Sequence, residues 1–387
     1  MIKKLEYSKC TLCKSCINSC PKKCIRFEYN NKGFMYPIIS NSECIKCGIC
    51  EKKCPILTPL NSKNSNKKAY VAKSIDDNIR LNSSSGGIFS VLAKYIISCN
   101  GVVCGAKFGK DFTVKHSIID KEEELKYLRG SKYVQSDIEN TYIDINNKLK
   151  SGRKVLFSGC PCQIAGLKGY LRKEYDNLYL IDFICHGIPS QAIFNEYLNI
   201  LRNKYKSDIV NVIFRDKSKG WHESSVKVIF ENGKIYIKTI YHDMYMRGFL
   251  NNFYLKESCH NCQFREGKSG SDLTIADYWG AEIEAKEMDD NKGLSLVIAN
   301  TNRGEELLNK INENILLKVT DFHRAIKYNK SFIESSKENK DKTNFFELAE
   351  KRGYKKAFYK YCKEKNSTII KRNIRMAFGR VKRVIKI

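Results

Sequence analysis

The residues best suited to chemistry are eight cysteines near the start of the chain, which form one motif written twice. Each copy has the spacing Cys-x2-Cys-x2-Cys-x3-Cys-Pro. Thiolates suit iron–sulfur clusters, and in motifs of this spacing the fourth cysteine of each copy binds the other cluster. The motif therefore predicts two 4Fe–4S clusters, whose ligand sets are Cys10, Cys13, Cys16 and Cys54, and Cys20, Cys44, Cys47 and Cys50.

Zinc and disulfides are the alternatives for these cysteines. Zinc sites use separated pairs of cysteines, and disulfides need an oxidising compartment, so both fit this pattern poorly. Cys24, a further cysteine in the stretch, is expected to be a small buried apolar side chain. The stretch resembles a bacterial-type two-cluster ferredoxin domain, predicted to cover residues 1–58, and this resemblance implies that electrons pass through the protein.

Composition limits the class of protein. The chain has 387 residues and seventeen cysteines, with no basic and apolar signal before Cys10 and no apolar run long enough to span a membrane. We therefore expect a cytoplasmic protein whose thiols stay reduced. The formal net charge is +27, but the lysines are scattered and no DNA-binding motif accompanies them, so nucleic acid is not expected as a partner.

A second group of cysteines lies further along, in loops near predicted strands. Residues 153–205 predict a βαβα unit, with strands at 154–158 and 178–184 and helices at 164–173 and 191–205. Ligands of open α/β sheets bind outside the carboxyl ends of the strands, where the first two cysteine loops fall. The five cysteines of this group are Cys160, Cys162, Cys185, Cys259 and Cys262.

Five cysteines are one more than a four-ligand metal site needs. A zinc ion held by four cysteines is one interpretation, and the pair Cys259-x2-Cys262 alone favours it. A third iron–sulfur cluster is the other, and the neighbouring electron-transfer module favours that. Cys99, Cys104 and Cys362 stand alone in the sequence and are expected to pack in the core.

Two polar turns that contain glycine are candidate anion sites. Residues 82–87 read Asn-Ser-Ser-Ser-Gly-Gly and precede an apolar helical stretch, where free N–H groups favour a flavin or nucleotide phosphate. The same run equally fits an ordinary N-capped helix entry. Residues 129–134 are a second candidate contact for a phosphate or an isoalloxazine ring, with an ordinary loop as the alternative.

Six short motifs occur in an order that is seen in one family. They are Ser84-Ser85-Gly86-Gly87, Gly130-Ser131-Lys132-Tyr133, Gly159-Cys160-Pro161-Cys162-Gln163, Cys185-His186-Gly187, Cys259-x2-Cys262 and Ala276-Asp277-Tyr278-Trp279-Gly280. Over about residues 4–320, the chain resembles the beta-subunit family of coenzyme F-420 hydrogenases and dehydrogenases. The resemblance implies an FAD-containing iron–sulfur protein that exchanges hydrides with a deazaflavin or another acceptor, and electrons with ferredoxin.

The resemblance also implies roles for individual residues. Many family members have Thr where this chain has Cys160, which leaves Cys160 as the spare cysteine. The implied ligands of a third 4Fe–4S cluster are then Cys162, Cys185, Cys259 and Cys262. The expected flavin contacts are Ser85, Gly86, Gly87, Ser131, Lys132 and Tyr133. His186 is expected either to donate a proton near the reaction centre or to donate a hydrogen bond to cluster sulfur.

The predicted fold class is a multidomain protein of α+β and α/β type. A bacterial ferredoxin-like domain at 1–58 and a linker at 59–68 precede an α/β domain that binds FAD and a cluster. That catalytic domain is expected in two parts, at 69–150 and 151–325, followed by a helical basic tail at 326–387.

The predicted function is that of an FAD- and iron–sulfur-dependent oxidoreductase acting on an unidentified small molecule, with ferredoxin or another redox protein as partner. The alternatives are an electron-transfer subunit without catalysis and a zinc-binding interaction scaffold.

The end of the tail has an amphipathic pattern with a basic face, which predicts peripheral contact with the inner face of the membrane. Packing of the tail on its own domain is the alternative.

Overall fold

The structure is a computed structural model that describes residues 5–60 and 67–364. The amphipathic pattern on which the predicted membrane contact depends falls on residues 365–387, outside the described residues. Across the described ranges, none of the helices has both the length and the apolar character that a membrane span requires.

The two cysteine motifs form a small N-terminal module around a pair of antiparallel strands. Its elements are β1 (Ile25–Tyr29), β2 (Met35–Ile39) and two short helices, α1 (Ser15–Asn18) and α2 (Ile49–Lys52). The residue before each helix, Lys14 in one copy and Gly48 in the other, has a positive φ, of 60° and 72°. Both copies of the motif therefore turn sharply at the same place, between the second and third cysteine.

A large mixed sheet forms the centre of the rest of the chain, and a smaller antiparallel sheet accompanies it. The strands are β3 (Lys68–Ser74), β4 (Val102–Phe108), β5 (Val114–Ile119), β6 (Val155–Gly159), β7 (Leu178–Phe183), β8 (Ile209–Asp216), β9 (Ser225–Phe230), β10 (Ile235–Thr239), β11 (Leu273–Asp277), β12 (Ser295–Ala299) and β13 (Ile315–Thr320). The order in the large sheet is β13-β3-β12-β11-β7-β6-β4-β5, and the small sheet has the order β10-β9-β8. Strands β11, β7, β6 and β4 run parallel, so their loops meet at one edge.

The helices pack on these sheets through their apolar faces. They are α3 (Asp77–Leu81), α4 (Ile88–Ser98), α5 (Leu125–Leu128), α6 (Thr141–Lys150), α7 (Pro161–Leu171), α8 (Gln191–Tyr205), α9 (Met244–Leu250), α10 (Ala281–Glu284), α11 (Asn302–Asn309), α12 (Phe322–Lys327), α13 (Lys342–Arg352) and α14 (Tyr354–Ala357). The start of α8 agrees with the sequence because Ser190 caps it, its hydroxyl accepting from the Ile193 N–H at 3.3 Å.

Helix α7 begins at Pro161, three residues before the sequence predicts. Proline is favoured in the first turn because its fixed φ suits the helix and its missing N–H is not needed there. Gln163 completes the start, since its side-chain oxygen accepts from the Cys160 N–H at 2.9 Å. Cys162 therefore lies in the first turn of a helix and Cys160 at its N-cap, rather than both in a loop.

An aromatic core joins helices α8 and α9 to the small sheet. Tyr245 lies 5.1 Å from Tyr197 and 5.3 Å from Phe194, measured between ring centroids. The hydroxyls of Tyr197 and Tyr236 each donate to the buried carboxylate of Asp243 at 2.7 Å. These contacts fix α9, which carries Phe249 to the candidate site described below.

The N-terminal module contacts the rest of the protein mainly through α7. A Cβ added to Gly166 would lie 2.7 Å from Cys13 Cβ, and one added to Gly169 would lie 2.5 Å from the carbonyl oxygen of Lys53. Arg172 Nη2 also donates to the carbonyl of Thr58 at 2.7 Å. Glycine at two positions one turn apart thus lets the helix backbone reach the module closely.

Replacing Gly169 with Ala should destabilise the protein through a steric clash at this interface. Alanine is the better helix former by about 1 kcal/mol, so a net loss would reveal the clash, which we expect to cost about 1–3 kcal/mol. Denaturant unfolding under anaerobic conditions measures the change. Gly105→Ala is the matched control, because its added Cβ would meet its nearest neighbour at an ordinary 3.5 Å. Equal stability of the two variants would contradict this account of the interface.

Candidate metal centres

The outer cysteine set, Cys20, Cys44, Cys47 and Cys50, lines one cavity at the surface of the N-terminal module. Cys47 is exposed and the other three are partly exposed. These are the four cysteines that the crossing rule groups together, and the cavity is otherwise lined largely by apolar side chains and lysine stems. A shell of four thiols in such surroundings fits a 4Fe–4S cluster.

Cys24 is a fifth cysteine in the lining of the same cavity. It is buried, and its sulfur is 3.5 Å from that of Cys20. Burial, with contributions from Cys20 and Cys44, raises the pKa of the Cys24 thiol to about 12. Cys24 therefore remains a protonated thiol packed beside the other cysteines, in agreement with the small apolar role that the sequence indicates.

The inner cysteine set, Cys10, Cys13, Cys16 and Cys54, is buried. Burial raises the pKa of Cys10 and Cys13, and the charges of Cys54 and Cys162 raise it further in both. Four thiols crowded away from water are unfavourable as thiolates unless a cation neutralises them. This arrangement fits an iron–sulfur cluster that is shielded from solvent.

The central cysteine set, Cys162, Cys185, Cys259 and Cys262, lines one cavity. Cys162 comes from α7, Cys185 follows β7, and the other two belong to the segment after α9. Burial is the largest cause that raises the pKa of Cys262, to about 11. The structure thus brings together residues from three distant parts of the sequence into one group of thiols.

Cys160 touches this set without lining its cavity. Its side chain packs in one cluster with Cys162 and Cys185, and its interaction with Cys185 is the largest influence that lowers the pKa of Cys185. The position of Cys160 is therefore that of a supporting residue beside the group of four.

Three charged residues that sequence reasoning missed also line the central cavity, Asp182, Arg265 and Glu266. Asp182 accepts hydrogen bonds from Ser269 Oγ at 2.5 Å and Thr274 Oγ1 at 2.6 Å. Burial raises the pKa of Asp182 to about 6. The one sequence signal for Asp182 is a charged residue within the apolar run of β7, whereas Arg265 has no such signal.

His186 lies in the wall of the same cavity. Its Nε2 is 2.7 Å from Asn252 Oδ1, and its ring centroid is 4.9 Å from that of Phe249. Burial lowers the pKa of His186, so the imidazole is neutral at physiological pH. Since the Asn252 oxygen accepts, the proton of the neutral ring lies on Nε2.

The two predicted flavin turns meet in the structure. Ser84 Oγ accepts from the N–H of Ser131 at 2.8 Å and lies 2.9 Å from its hydroxyl oxygen. The next residues are bound to strand β12 instead: Ser85 Oγ donates to the carbonyl of Leu294, and the Gly86 N–H donates to Ser295 Oγ at 2.9 Å. The Ser85 hydroxyl and the Gly86 N–H thus form hydrogen bonds at the start of β12. Gly87, with a φ of 89°, directly precedes α4.

Lys132 and Tyr133 of the second turn have different surroundings. Lys132 Nζ donates to the carbonyls of Tyr127, Leu128 and Arg129 at 2.8–3.0 Å, which places its charge at the end of α5. Burial lowers the pKa of Lys132 to about 7. The ring centroid of Tyr133 lies 5.2 Å from that of Phe249, so Phe249 connects this turn with His186.

A buried polar cluster adjoins Tyr133. Arg215 forms two hydrogen bonds with Asp277, of 2.8 and 3.0 Å, and Trp221 Nε1 donates to the same carboxylate at 2.8 Å. Arg215 Nη1 also lies 3.3 Å from the hydroxyl oxygen of Tyr133, and Trp279 stacks parallel to Trp221 at 5.5 Å. Asp277 and Trp279 belong to one of the six sequence motifs, whereas no motif points to Arg215.

Two stretches of the chain match models of known protein families. Residues 9–56 match the model of the 4Fe-4S dicluster domain, and residues 152–325 match that of the C terminus of the coenzyme F420 hydrogenase/dehydrogenase beta subunit. No curated protein matches the chain. A chain of the F420-reducing [NiFe] hydrogenase complex from Methanosarcina barkeri aligns with 17% identity and a TM-score of 0.45, covering 75% of this chain and 89% of that one. Two separate stretches of the chain are thus similar to known families, one to the 4Fe-4S dicluster domain and the other to the C terminus of the coenzyme F420 hydrogenase/dehydrogenase beta subunit.

Proposed function

We propose that this protein is an iron–sulfur flavoprotein oxidoreductase in which electrons pass through three cysteine sets in series. The observation that carries the proposal is the adjacency of the inner and central sets. Thr11, the neighbour of Cys10 in the chain, lines the central cavity, and Gly166, on the same helix as Cys162, packs against Cys13. The outer set is exposed and the inner set is buried, which gives the series a direction from the surface inwards.

We propose a third 4Fe–4S cluster in the central cavity, held by Cys162, Cys185, Cys259 and Cys262. Four thiols around one cavity suit either zinc or an iron–sulfur cluster. The proximity of the inner set favours the cluster, because zinc has no redox chemistry and would end the path there. Cys160 would support the cluster through its contacts with Cys162 and Cys185.

FAD is the proposed acceptor beyond the central site. When bound, FAD couples one-electron transfer to two-electron hydride chemistry. The start of α4, the touching pair Ser84 and Ser131, and Tyr133 would hold it, with Gly87 and the N-terminal N–H groups of α4 towards its phosphates. His186 would hold its proton at Nε2, against Asn252, for transfer to a reacting group.

One observation favours a second candidate function, an electron-transfer subunit that carries no flavin. The hydroxyl of Ser85 and the N–H of Gly86 already donate hydrogen bonds to other residues of the protein. The Lys132 ammonium likewise donates to a backbone carbonyl at the end of helix α5. Three of the expected flavin contacts are therefore satisfied without a ligand. Such a subunit would pass electrons to a partner that performs the chemistry.

Anaerobic purification with iron, sulfide and extracted flavin measured on the same sample distinguishes these functions. Three clusters correspond to about twelve irons per chain, at four per cluster. We expect that iron content with near-stoichiometric flavin. Zinc together with about eight irons would refute the third cluster, and full iron with little flavin would select the relay function.

The roles of Cys160 and Cys162 should separate by mutation. Cys160→Thr should keep full iron content, because a hydroxyl can replace the thiol in this supporting contact. Cys162→Ser should lose about four irons by removing a ligand of the central cluster. Iron and sulfide assays, with circular dichroism to verify folding, measure the result. Similar iron content in the two variants, or loss in Cys160→Thr alone, would contradict the assignment.

The exposed outer set indicates where a redox partner docks. Lys22 and Lys46 are exposed at the rim of its cavity and would attract an acidic surface. The double variant Lys22→Glu/Lys46→Glu should slow electron transfer from an acidic ferredoxin about tenfold or more at low salt. Reduction by methyl viologen should not change.

Stopped-flow reduction at several ionic strengths measures both rates. Lys121→Glu/Lys310→Glu, at two exposed lysines away from this rim in the sequence, makes the same change in net charge and is the control for charge alone. An equal effect of the control, or a rate that is independent of salt in the wild type, would rule out docking at this rim.

A further inference from the structure

Lys256 is a lysine whose side chain is 0% exposed, at the contact between the N-terminal module and the central site. Its backbone forms hydrogen bonds with two segments of the central site, the loop after β7 and the segment after α9. The Lys256 N–H donates to the carbonyl of Ile188 at 2.9 Å, and its own carbonyl accepts from the N–H of Cys259 at 3.0 Å. The start of the Lys256 side chain is therefore fixed beside two loops that carry central cysteines.

The side chain crosses from this segment into the N-terminal module. Lys256 Nζ donates to the carbonyl of Met35 at 3.1 Å and lies 3.8 Å from the ring centroid of Tyr36 and 5.4 Å from that of Phe34. All three residues belong to β2 or the turn before it. A carbonyl oxygen and two aromatic faces accept an ammonium well, but none of them carries a compensating charge.

Cysteines of two sets lie near this ammonium, since Cys10 packs in the same apolar cluster as Phe34 and Tyr36, with Cys259 against it. Burial lowers the pKa of Lys256, and the charges of Cys10, Cys259, Glu257 and Cys162 oppose that effect. Glu257 is itself paired with Lys32 at 4.0 Å. Cys10 belongs to the inner set, whereas Cys162 and Cys259 belong to the central set. A second buried cation, Arg265, acts on Cys185 and Cys262 of the central set. Lys256 is thus positioned between the two sets, and a buried cation in that position requires anionic neighbours to be stable.

We propose that Lys256 is a positioning residue for electron transfer, whose fixed positive charge raises the reduction potentials of the inner and central clusters together. This inference rests on the central cluster proposed above. Reduction adds one electron to a cluster while the donor loses one, and no bond to Lys256 forms or breaks. Because a nearby cation stabilises the more negative, reduced cluster, both potentials would rise relative to that of the outer cluster.

Such a difference in potential would favour one direction of electron transfer. Electrons that enter at the exposed outer set would move to the inner and central clusters, since these would be the easier two to reduce. The cysteines that act most strongly on Lys256 belong to the inner and central sets and not to the outer set, which therefore serves as a reference within the same molecule.

The test is a potentiometric titration of the anaerobically purified full chain, followed by electron paramagnetic resonance. Lys256→Met removes the charge with little change in length, Lys256→Arg keeps it, and Lys256→Gln is neutral but can still donate to Met35. Cys47→Ser identifies the outer cluster's signal. We expect Lys256→Met and Lys256→Gln to shift the inner and central potentials to more negative values, with the outer potential unchanged and Lys256→Arg close to wild type.

Unchanged potentials in a fully loaded neutral variant would overturn the proposal. If both neutral variants lose iron from the inner and central sites while Lys256→Arg keeps it, the charge is required there and the proposal stands. Loss of iron in all three variants would overturn it, because the shape of lysine rather than its charge would then matter. If iron analysis finds no third cluster, the function proposed above fails, yet the inner potential still tests Lys256.

Discussion

The close approach of helix α7 to the N-terminal module is the contact on which the rest of the site depends. The helix carries Cys162 in its first turn and Gly166 and Gly169 on the face that meets the module. Any side chain larger than hydrogen at these glycines would push the module outwards, and the inner and central cysteine sets would move apart. One helix therefore both supplies a central cysteine and holds the two sets next to each other.

Buried charge around the cysteines is the second constraint. Removing an ion from water costs several kcal/mol unless partners compensate it. Arg215 has a carboxylate partner in Asp277, and Asp182 has two hydroxyl donors. Lys256 instead contacts a carbonyl and two rings, and the carboxylate of Glu257 acts on it together with the cysteine sets, so its stability in the interior depends in part on those sets and on what they bind. A cation placed in this way is explained by neighbouring anionic clusters better than by stability of the fold.

Local patterns in the sequence predict part of this structure. The crossed grouping of the N-terminal cysteines follows from spacing alone, and helix α8 occupies the predicted range, residues 191–205, because its cap and apolar period lie within one segment. Long-range polar contacts cannot be predicted in this way. Lys256 and Met35 are 221 positions apart, and Arg215 and Asp277 are 62 apart, so no periodicity or motif connects them. Their chemistry becomes visible when the sheet brings the segments together.

The serine- and glycine-rich turn before α4 shows why one pattern can have two origins. A Cβ on Gly86 would lie 2.5 Å from the carbonyl oxygen of Ala72, so packing against β3 is by itself a sufficient reason for glycine there. The bonds of Ser85 and Gly86 to β12 are likewise structural. Packing does not account for Ser84, whose hydroxyl reaches across to Ser131 of the second turn. The flavin contact proposed for this turn therefore lies at Ser84 and the start of α4, and not at Ser85 and Gly86, which the sequence pattern also indicated.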